Sequence, residues 1–436
     1  MDYTLTKDQQ RCADLIDGTG TNFALLGKPG VGKSVLIHYL TEYGRKSYTL
    51  AAPTGLAATN ISGKTLHSIF GIPISQGIIA PDYNNFTRNQ NIVNNIRFNI
   101  RTLIIDEISM VRADVFDYID RLCREVKGVE EPFGGIQVVV VGDFCQLPPI
   151  TNADERKQFT EHGYRSHFVF DSYAFKGFEF LELNEVLRQK GDNSFINILH
   201  EARIGEVSSK SMVKLNGRVE DADGIRLHLV STNKQSDMIN STALSKLFSP
   251  LVEFHADATG SWPSFPMDTV LQMKVGAQVL IKKNAADRVP GDRTRGESEV
   301  VNGSLGIVTE ICAKVDKETV PYIRVLLRSG NEVNIYRARW ERKVKERIGD
   351  KWVETTVASF EQMPIMLAWA ISMHKSQGQT FETVHIDPKR IFAAGQLYVA
   401  LSRGKSLQGI TFDSRVAKSS FRTDNRVLEF LNQTTI

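Results

Sequence analysis

The stretch GKPGVGKS, residues 27–34, has the glycine, lysine and serine spacing of a phosphate-binding loop. The apolar residues 23–26 before it are typical of a buried strand, and residues 35–40 after it are typical of a helix. Glycines let the loop turn its N–H groups toward a phosphate, and the helix N-terminus adds a favourable dipole. The alternative, a glycine-rich turn without a ligand, is disfavoured because strand and helix flank the loop. We predict a nucleotide site formed by Gly27, Pro29, Gly30, Val31, Gly32, Lys33 and Ser34.

Length and composition are those of an ordinary globular protein. The chain has 436 residues, of which 42% are hydrophobic and 24% are charged. No apolar run approaches the length of a membrane span, and the N-terminus MDYTLTKDQQ has no apolar signal region. We therefore expect a cytoplasmic protein without membrane contact, associated with the nucleoid if its source is bacterial. The cysteines have no paired spacing, which argues against a zinc site or a disulfide framework; they are Cys12, Cys123, Cys145 and Cys312.

The net charge of +3 is too small to indicate a nucleic-acid partner, but its distribution is uneven. Residues 282–351 hold sixteen Lys and Arg against eleven Asp and Glu, and the densest part is RARWERKVKER, residues 337–347. Two interpretations stay open, a solvated charged hairpin and a patch that follows phosphates.

Apolar runs of strand length alternate with helical stretches between residues 20 and 180, for example residues 48–52, 103–105 and 138–141. This pattern predicts a parallel sheet covered by helices, with ligands at the carboxyl ends of the strands. The Asn-rich residues 62–99 interrupt it and predict a small insertion. Residues 241–360 contain short β-rich segments separated by turns, which predict a small antiparallel barrel.

Acidic and amide side chains follow two of these strands. Asp106 and Glu107 come after the run 103–105, where an acidic residue can hold the Mg²⁺ of the loop together with Ser34. The next acid can polarise a water molecule for attack on the γ-phosphate, so we assign Asp106 to the metal and Glu107 to the water. Gln146, in GDFCQLPP, can sense the γ-phosphate, although a proline-stiffened loop would have the same sequence.

Arg188 in LNEVLRQ and Arg403 in QLYVALSRG are candidates for neutralising charge that develops on the γ-phosphate. A single arginine near a helix end is more often a surface ion pair. The flanking sequences decide between these interpretations.

The order of motifs resembles superfamily-one helicases, and in particular the Pif (petite-integration-frequency) family of 5′→3′ DNA helicases, in a compact prokaryotic or viral form. The resemblance covers residues 9 to about 404. Besides the loop at residues 27–34, it depends on APTG (52–55), DEISM (106–110), GDFCQLP (142–148), LRQ (187–189), SMHKSQGQT (372–380) and YVALSR (398–403).

The resemblance implies roles for further residues. Gln9 matches a glutamine that contacts adenine, although the adjacent Gln10 is an alternative, and Gly378 is placed at the nucleotide. Lys33 matches a lysine at the β/γ-phosphates. Gln146 and Arg188 match γ-phosphate contacts, and Arg403 matches the second arginine finger. The residues in segments that grip single-stranded DNA are Thr54, Gly55, His67, Ser68, His374 and Ser376.

The resemblance also implies an α/β fold with two RecA-like P-loop cores. Residues 1–61 and 100–182 are expected to form the first core, with a wedge insertion at 62–99. Residues 183–240 and 361–436 are expected to form the second core, from which Arg188 and Arg403 approach the nucleotide. An SH3-like β-barrel is expected at 241–360.

The implied function is an ATP-dependent DNA helicase that moves 5′→3′ on single-stranded DNA and unwinds duplex with ATP and Mg²⁺. G-quadruplexes and RNA–DNA hybrids are left open as substrates. The resemblance also implies roles in DNA repair, telomere maintenance, DNA replication and DNA recombination. Single-stranded DNA and forks are the expected partners, and a monomer is the expected state. The alternative is a single-stranded-DNA-stimulated ATPase or translocase that does not separate strands. A passive binding module is disfavoured because Lys33, Glu107, Arg188 and Arg403 are all present.

Overall fold

The computed structural model describes residues 4–72, 89–185, 187, 192–220, 226–260, 262, 265–283, 300, 303–313, 320–348 and 351–434. Arg188 and residues 73–88 of the predicted wedge lie outside these residues. The chain divides into two units by its internal contacts. The first unit comprises Met1–Val213, Phe392–Ser402 and Ala417–Ile436, and the second comprises Lys214–Ile391 and Arg403–Val416.

The strands of the described residues are, in chain order, β1 (Phe23–Gly27), β2 (Tyr48–Ala52), β3 (Lys64–Thr65), β4 (Thr102–Ile105), β5 (Gln137–Gly142), β6 (Glu179–Leu183), β7 (His228–Val230), β8 (Val252–His255), β9 (Asp257–Thr259), β10 (Val270–Met273), β11 (Gln278–Ile281), β12 (Leu305–Cys312), β13 (Tyr322–Leu327), β14 (Glu332–Tyr336), β15 (Ala338–Ile348), β16 (Lys351–Gln362), β17 (Ile365–Leu367), β18 (Ala370–Ser372), β19 (Val384–Ile386) and β20 (Ile410–Phe412).

The α-helices of the same residues are α1 (Lys7–Gly18), α2 (Lys33–Tyr43), α3 (Gly55–Asn60), α4 (Leu66–Phe70), α5 (Gln90–Asn94), α6 (Ala113–Lys127), α7 (Ala153–Glu161), α8 (Asn193–Ile204), α9 (Ser209–Asn216), α10 (Asn233–Ser245), α11 (Met373–Ser376), α12 (Gln396–Ser402) and α13 (Asn425–Gln433). A π-helical turn at Asn95–Asn99 continues α5. None of these helices combines the length and apolar character needed to cross a bilayer.

The first unit contains a six-stranded parallel sheet in the order β3-β2-β4-β5-β1-β6. Its central strands β1, β4 and β5 are buried along their whole length, as expected for a parallel sheet with both faces covered. Because β4, β5 and β1 are neighbours, the loops after these three strands emerge at one edge of the sheet.

The sheet extends further along the sequence than predicted. Strand β3 lies inside the segment predicted as the wedge, yet it pairs in parallel with β2 through Ala51↔Lys64 and Ala52↔Thr65. The first core therefore continues to at least Thr65, because backbone pairing across the sheet outweighs the polar composition of this segment.

Two C-terminal segments that the sequence analysis assigned to the second core, Phe392–Ser402 and Ala417–Ile436, belong to the first unit instead. The Arg426 guanidinium pairs with the Asp171 carboxylate, with Nε 2.9 Å from Oδ2. The Phe430 ring stacks on Phe170 with centroids 4.3 Å apart. These contacts join positions about 255 residues apart, so composition along the chain does not reveal them.

The second unit contains a four-stranded parallel sheet in the order β18-β7-β19-β20. Helix α10 is fixed to it by Asn240, whose side-chain amide donates to Ala370 O and accepts from Ala370 N, both at 2.9 Å. A buried side-chain amide thus completes the backbone pairing at the edge strand β18.

Antiparallel strands occupy the chain between α10 and β18. They form a five-stranded sheet in the order β14-β13-β12-β11-β17, a three-stranded sheet β15-β16-β9 and the pair β10-β8. Buried apolar side chains such as Met273, Ile281 and Ile335 form its core. The region runs from β8 to β17, so its limits differ from the predicted 241–360 at both ends. Its likeness to an SH3 barrel stays a prediction.

Candidate functional site

The loop between β1 and α2 is shaped for a phosphate. Gly30 and Gly32 have φ of +85° and +81°, a left-handed conformation that favours glycine. A Cβ at Gly27 would lie 2.8 Å from Val31 Cγ2, so a larger residue here would force Val31 to shift. Lys33 begins α2, and its Nζ donates to Gly27 O at 2.7 Å and to Lys28 O at 3.0 Å. The lysine ammonium is therefore held at the loop, beside the helix N-terminus and the exposed Ser34.

Gln9 supports this loop. Its side-chain Nε2 donates to Val31 O and Gly32 O, both at 3.3 Å, and its Oε1 accepts from Thr6 N at 2.9 Å in the capping box of α1. The adjacent Gln10 instead donates to Asp14 on the exposed side of the helix. The structure thus places Gln9, and not Gln10, against the loop.

The segment that carries Arg188 also reaches the loop. Leu187 N donates to Gly30 O at 2.8 Å, and its Cδ1 lies 3.2 Å from the position of a Cβ at Gly32. Leu187 lies in the first unit, whereas the sequence analysis assigned this segment to the second core. Arg188 itself lies outside the described residues.

Asp106 follows β4 and is buried. Its Oδ1 accepts from Glu107 N at 2.9 Å, and Glu107 has φ of +51°, an uncommon conformation for a residue with a side chain. Burial and the adjacent Glu107 charge raise the pKa of Asp106, while Lys33 acts in the opposite direction. Carboxylate and hydroxyl oxygens are ligands that Mg²⁺ prefers, so Asp106 and Ser34 fit the predicted metal.

Gln146 lies in a tight turn after β5. Its N–H donates to Asp143 O at 3.0 Å, and its own Oε1 is buried without a hydrogen-bond partner among the described residues. A buried amide oxygen without a partner is costly, which is consistent with a ligand-contacting role.

Three residues that the sequence analysis did not single out surround this turn: Asp143, Arg203 and Tyr398. The Asp143 carboxylate is wholly buried and accepts from Arg203 Nε at 3.1 Å and from the Tyr398 hydroxyl at 2.7 Å. A buried aspartate after an apolar strand was the available sequence signal, but its partners lie 60 and 255 residues away.

Residues 376–379, SQGQ, form the second candidate region. Arg403 is only 2% exposed, and its Nη1 donates to Ser376 O at 3.3 Å and to Gln379 O at 3.2 Å. Gly378 has φ of +73°. Both side-chain amide atoms of Gln377 and of Gln379 are buried without a hydrogen-bond partner in the described part of the chain. Gln377 and Gln379 were not candidates in the sequence analysis.

The predicted DNA-binding residues of the first unit lie at helix starts. Thr54 caps α3, with its hydroxyl accepting from Ala57 N at 3.2 Å, and Gly55 is the first residue of that helix. Ser68 N donates to the capping Thr65 hydroxyl at 3.2 Å, and His67 is exposed in the same helix. Helix starts present N–H groups that suit phosphates.

The two DNA-binding candidates of the second unit differ in accessibility. His374 is half-buried, and burial lowers the pKa of its imidazole. Ser376 is fully buried, and its hydroxyl donates to Met373 O at 2.8 Å. The Ser376 side chain is therefore committed to α11.

Comparison with known proteins adds to this geometry. A family model described as PIF1-like helicase matches residues 4–212. The ATP-dependent DNA helicase PIF1 of Danio rerio is 35% identical over 425 residues, which covers 92% of this chain and 60% of that protein. The ATP-dependent DNA helicase RRM3 of Saccharomyces cerevisiae is 32% identical over 507 aligned residues, covering 98% of this chain and 67% of that protein. This chain thus spans about two thirds or less of the length of these two relatives.

A crystal structure of Pif1 from a Bacteroides species, in complex with ADP-AlF4, matches with a TM-score of 0.85 and 34% identity. The match covers 99% of this chain and 97% of that one. It confirms the predicted α/β fold with RecA-like cores. On the family model, the two relatives and this structure, the chain belongs to the PIF1-like helicase family.

Proposed function

We propose that this chain is an ATP-dependent DNA helicase that moves 5′→3′ on single-stranded DNA and unwinds duplex. One observation carries the proposal: β1, β4 and β5 are neighbours in the sheet of the first unit. The strand order therefore puts Lys33, Asp106 and Gln146 at the same sheet edge. A lysine, a carboxylate and an amide at the ends of adjacent parallel strands are the groups that hydrolysis of a nucleoside triphosphate requires.

Each side chain has a distinct role in this proposal. Lys33 leaves the carbonyls of Gly27 and Lys28 and binds the β/γ-phosphates, for which it already lies at the loop. Asp106 and Ser34 would hold Mg²⁺, which neutralises phosphate charge when bound. Glu107 orients the attacking water, and Gln146 contacts the γ-phosphate.

The arginines complete the proposed site. Arg403 and Arg188 stabilise negative charge in the transition state. In the structure, Arg403 Nη1 donates to the carbonyls of residues 376 and 379. Gln9 contacts adenine, and Gly378 lies at the nucleotide.

Single-stranded DNA and forks are the proposed nucleic-acid partners. A Bacteroides Pif1 has been crystallised bound to single-stranded DNA, and another structure concerns unwinding at forked DNA by two coordinating Pif1 helicases. In this chain we assign DNA contacts to the helix starts at Thr54, Gly55, His67 and Ser68, to His374, and to the backbone at Ser376. We propose a monomer that acts on cellular DNA in the cytoplasm, at the nucleoid in a bacterium; a second copy at a fork is the alternative.

Two lysines, Lys282 and the Lys375 that follows His374 in the sequence, support an anionic partner. Lys282 and Lys375 lie close enough for their charges to interact, and burial followed by the Lys375 charge lowers the pKa of Lys282 to about 8. Two cations held together are stabilised when a phosphate binds between or beside them.

The first test is ATP turnover with and without single-stranded DNA, followed by unwinding of duplexes that carry either a 5′ or a 3′ tail. We expect DNA-stimulated turnover, and unwinding only from the 5′ tail. Binding to single-stranded DNA should weaken with salt, with a log–log slope of about −3 to −4 for roughly four to six phosphate contacts.

The Lys33→Ala protein is the control, since it should bind DNA without turning over ATP. Unwinding from the 3′ tail would overturn the polarity and leave the ATPase assignment intact. Stimulated turnover without unwinding from either tail would favour a translocase that does not separate strands.

A further inference from the structure

The carboxylate of Asp143 is the centre of a buried hydrogen-bond cluster. Its side chain has no solvent exposure and accepts from three donors: Cys145 N at 3.2 Å, Arg203 Nε at 3.1 Å and the Tyr398 hydroxyl at 2.7 Å. The backbone carbonyl of Asp143 accepts from Gln146 N at 3.0 Å. Asp143 thus stabilises the turn that contains Gln146 through hydrogen bonds to both its side chain and its backbone carbonyl.

The segment before α12 touches the same turn. A Cβ at Gly395 would lie 2.5 Å from Gln146 O and 2.7 Å from Cys145 O, and Gly395 has φ of +74°. Gly395 therefore packs directly on the carbonyls of the turn, in a conformation that favours glycine. Tyr398, three residues later, reaches Asp143. The segment Phe392–Ser402 consequently contacts the Gln146 turn at two separate points.

The charges of the cluster are balanced. The Asp143 carboxylate raises the pKa of the Arg203 guanidinium, so the arginine stays protonated. Burial, followed by the Asp143 charge, raises the pKa of Tyr398 well above its ordinary range, so its hydroxyl stays a donor. Charge-assisted hydrogen bonds in a buried site are stronger than neutral ones, and removing one donor leaves part of the carboxylate unsatisfied.

We propose that Tyr398 and Arg203 are positioning residues for ATP hydrolysis, which hold Gln146 at its place by binding Asp143. The proposal rests on the proposed function, because Gln146 is taken to contact the γ-phosphate. Neither residue is proposed to touch the nucleotide. Helix α12, which carries Tyr398, ends at Ser402, and the next residue is Arg403, the proposed arginine finger.

The Tyr398→Phe variant tests the proposal, because it removes the hydroxyl and keeps the ring. We expect kcat for ATP to fall about 10-fold, since a small misplacement of a contacting group lowers rate, with KM for ATP unchanged. Arg203→Lys keeps the charge but changes the geometry at Asp143, and we expect a smaller fall in kcat. In a Gln146→Ala background the Tyr398→Phe change should have no further effect on turnover.

Tyr48→Phe is the matched control. The Tyr48 hydroxyl donates to Asp17 Oδ1 at 2.6 Å, and Tyr48 begins β2, at the sheet edge opposite the nucleotide loop. This variant removes the same kind of bond from the same unit and should lower thermal stability while leaving kcat unchanged.

Hydrogen exchange gives a readout that does not depend on turnover. Tyr398→Phe should speed amide exchange in the peptide that contains residues 143–148, and Tyr48→Phe should not. Unchanged exchange in this peptide, or a kcat equal to that of Tyr48→Phe, would overturn the proposal. If the wild-type protein hydrolysed no ATP while Tyr398→Phe still sped exchange in this peptide, the result would contradict the proposed function and leave the link between Tyr398 and the Gln146 turn in place.

Discussion

Two glycine-containing turns are stabilised in a similar way but differ in how many of their polar groups have hydrogen-bond partners. They are GKPGVGKS at 27–34 in the first unit and SQGQ at 376–379 in the second. In each turn a cation donates to carbonyls of the turn itself: Lys33 at Gly27 and Lys28, and Arg403 at Ser376 and Gln379. The glutamines differ. Gln9 at the first turn has partners for both amide atoms, whereas all four amide atoms of Gln377 and Gln379 lack partners in the described residues.

The two turns therefore differ in whether their buried polar groups are satisfied without a ligand. The first turn is stabilised by hydrogen bonds from Gln9 and Lys33 in its own unit. The second turn keeps buried polar groups unsatisfied, which costs stability in the structure as it stands. A ligand or a rearrangement that satisfies these amides would therefore be favoured, and activity and stability should respond differently to changes in the two turns.

The largest expected effect concerns the first turn. Lys33→Ala should abolish DNA-stimulated ATP hydrolysis, because the β/γ-phosphates lose their charge partner. Glu107→Gln should still bind ATP and fail to turn it over. Steady-state turnover and binding of a labelled nucleotide measure both; near-normal turnover by either variant contradicts the site.

The next effect concerns the cation of the second turn. Arg403→Ala should lower kcat roughly 10³-fold with little loss of ATP affinity, since a positive charge of this kind acts mainly in the transition state. Arg188→Ala should behave similarly. Kinetics at saturating single-stranded DNA measure the change, with Arg415→Ala as an exposed arginine control. Wild-type turnover by both variants would exclude a site with two arginines.

The glutamines test the comparison directly. Gln9→Met should lower the free energy of unfolding by about 1–2 kcal/mol, because Thr6 N and the loop carbonyls lose partners. Gln379→Met should leave it unchanged or raise it by about 1 kcal/mol, because it removes two unsatisfied buried groups. Calorimetry measures both changes. Equal destabilisation by both changes would show that Gln379 has hydrogen-bond partners as Gln9 does, and would contradict the difference between the two turns.

The smallest effect is a pH dependence near the second turn. The pKa of Lys282 is lowered to about 8 by burial and by Lys375, whereas an unfolded lysine titrates near 10.4. Between these two pKa values, Lys282 binds a proton more often in the unfolded chain than in the folded one. The free energy of unfolding should therefore rise with pH in this range, and the gain should be lost as the pH falls back to 8. We expect a gain of about 2 °C in Tm between pH 8 and 9.5, relative to Lys282→Met. No difference between the two proteins would contradict the shifted pKa.

The nucleotide loop, its strand and its helix were predictable because their causes are local. Gly30 and Gly32 are required by positive φ, and the neighbouring apolar residues define β1 and α2. The positions of Asp106 and Gln146 followed from apolar runs with a polar residue at their end. The choice between Gln9 and Gln10 was not predictable, because only the packing of α1 shows which amide meets the loop.

The sequence alone determined the family resemblance, the parallel sheet and the residues of the phosphate-binding loop, since these depend on spacing and short-range conformation. The tertiary structure decided that Phe392–Ser402 and Ala417–Ile436 pack with the first unit, that the Ser376 hydroxyl is committed to α11, and that Asp143 binds Tyr398 and Arg203. The reason is that burial and hydrogen-bond partners depend on contacts between residues far apart in the chain, which no local pattern records.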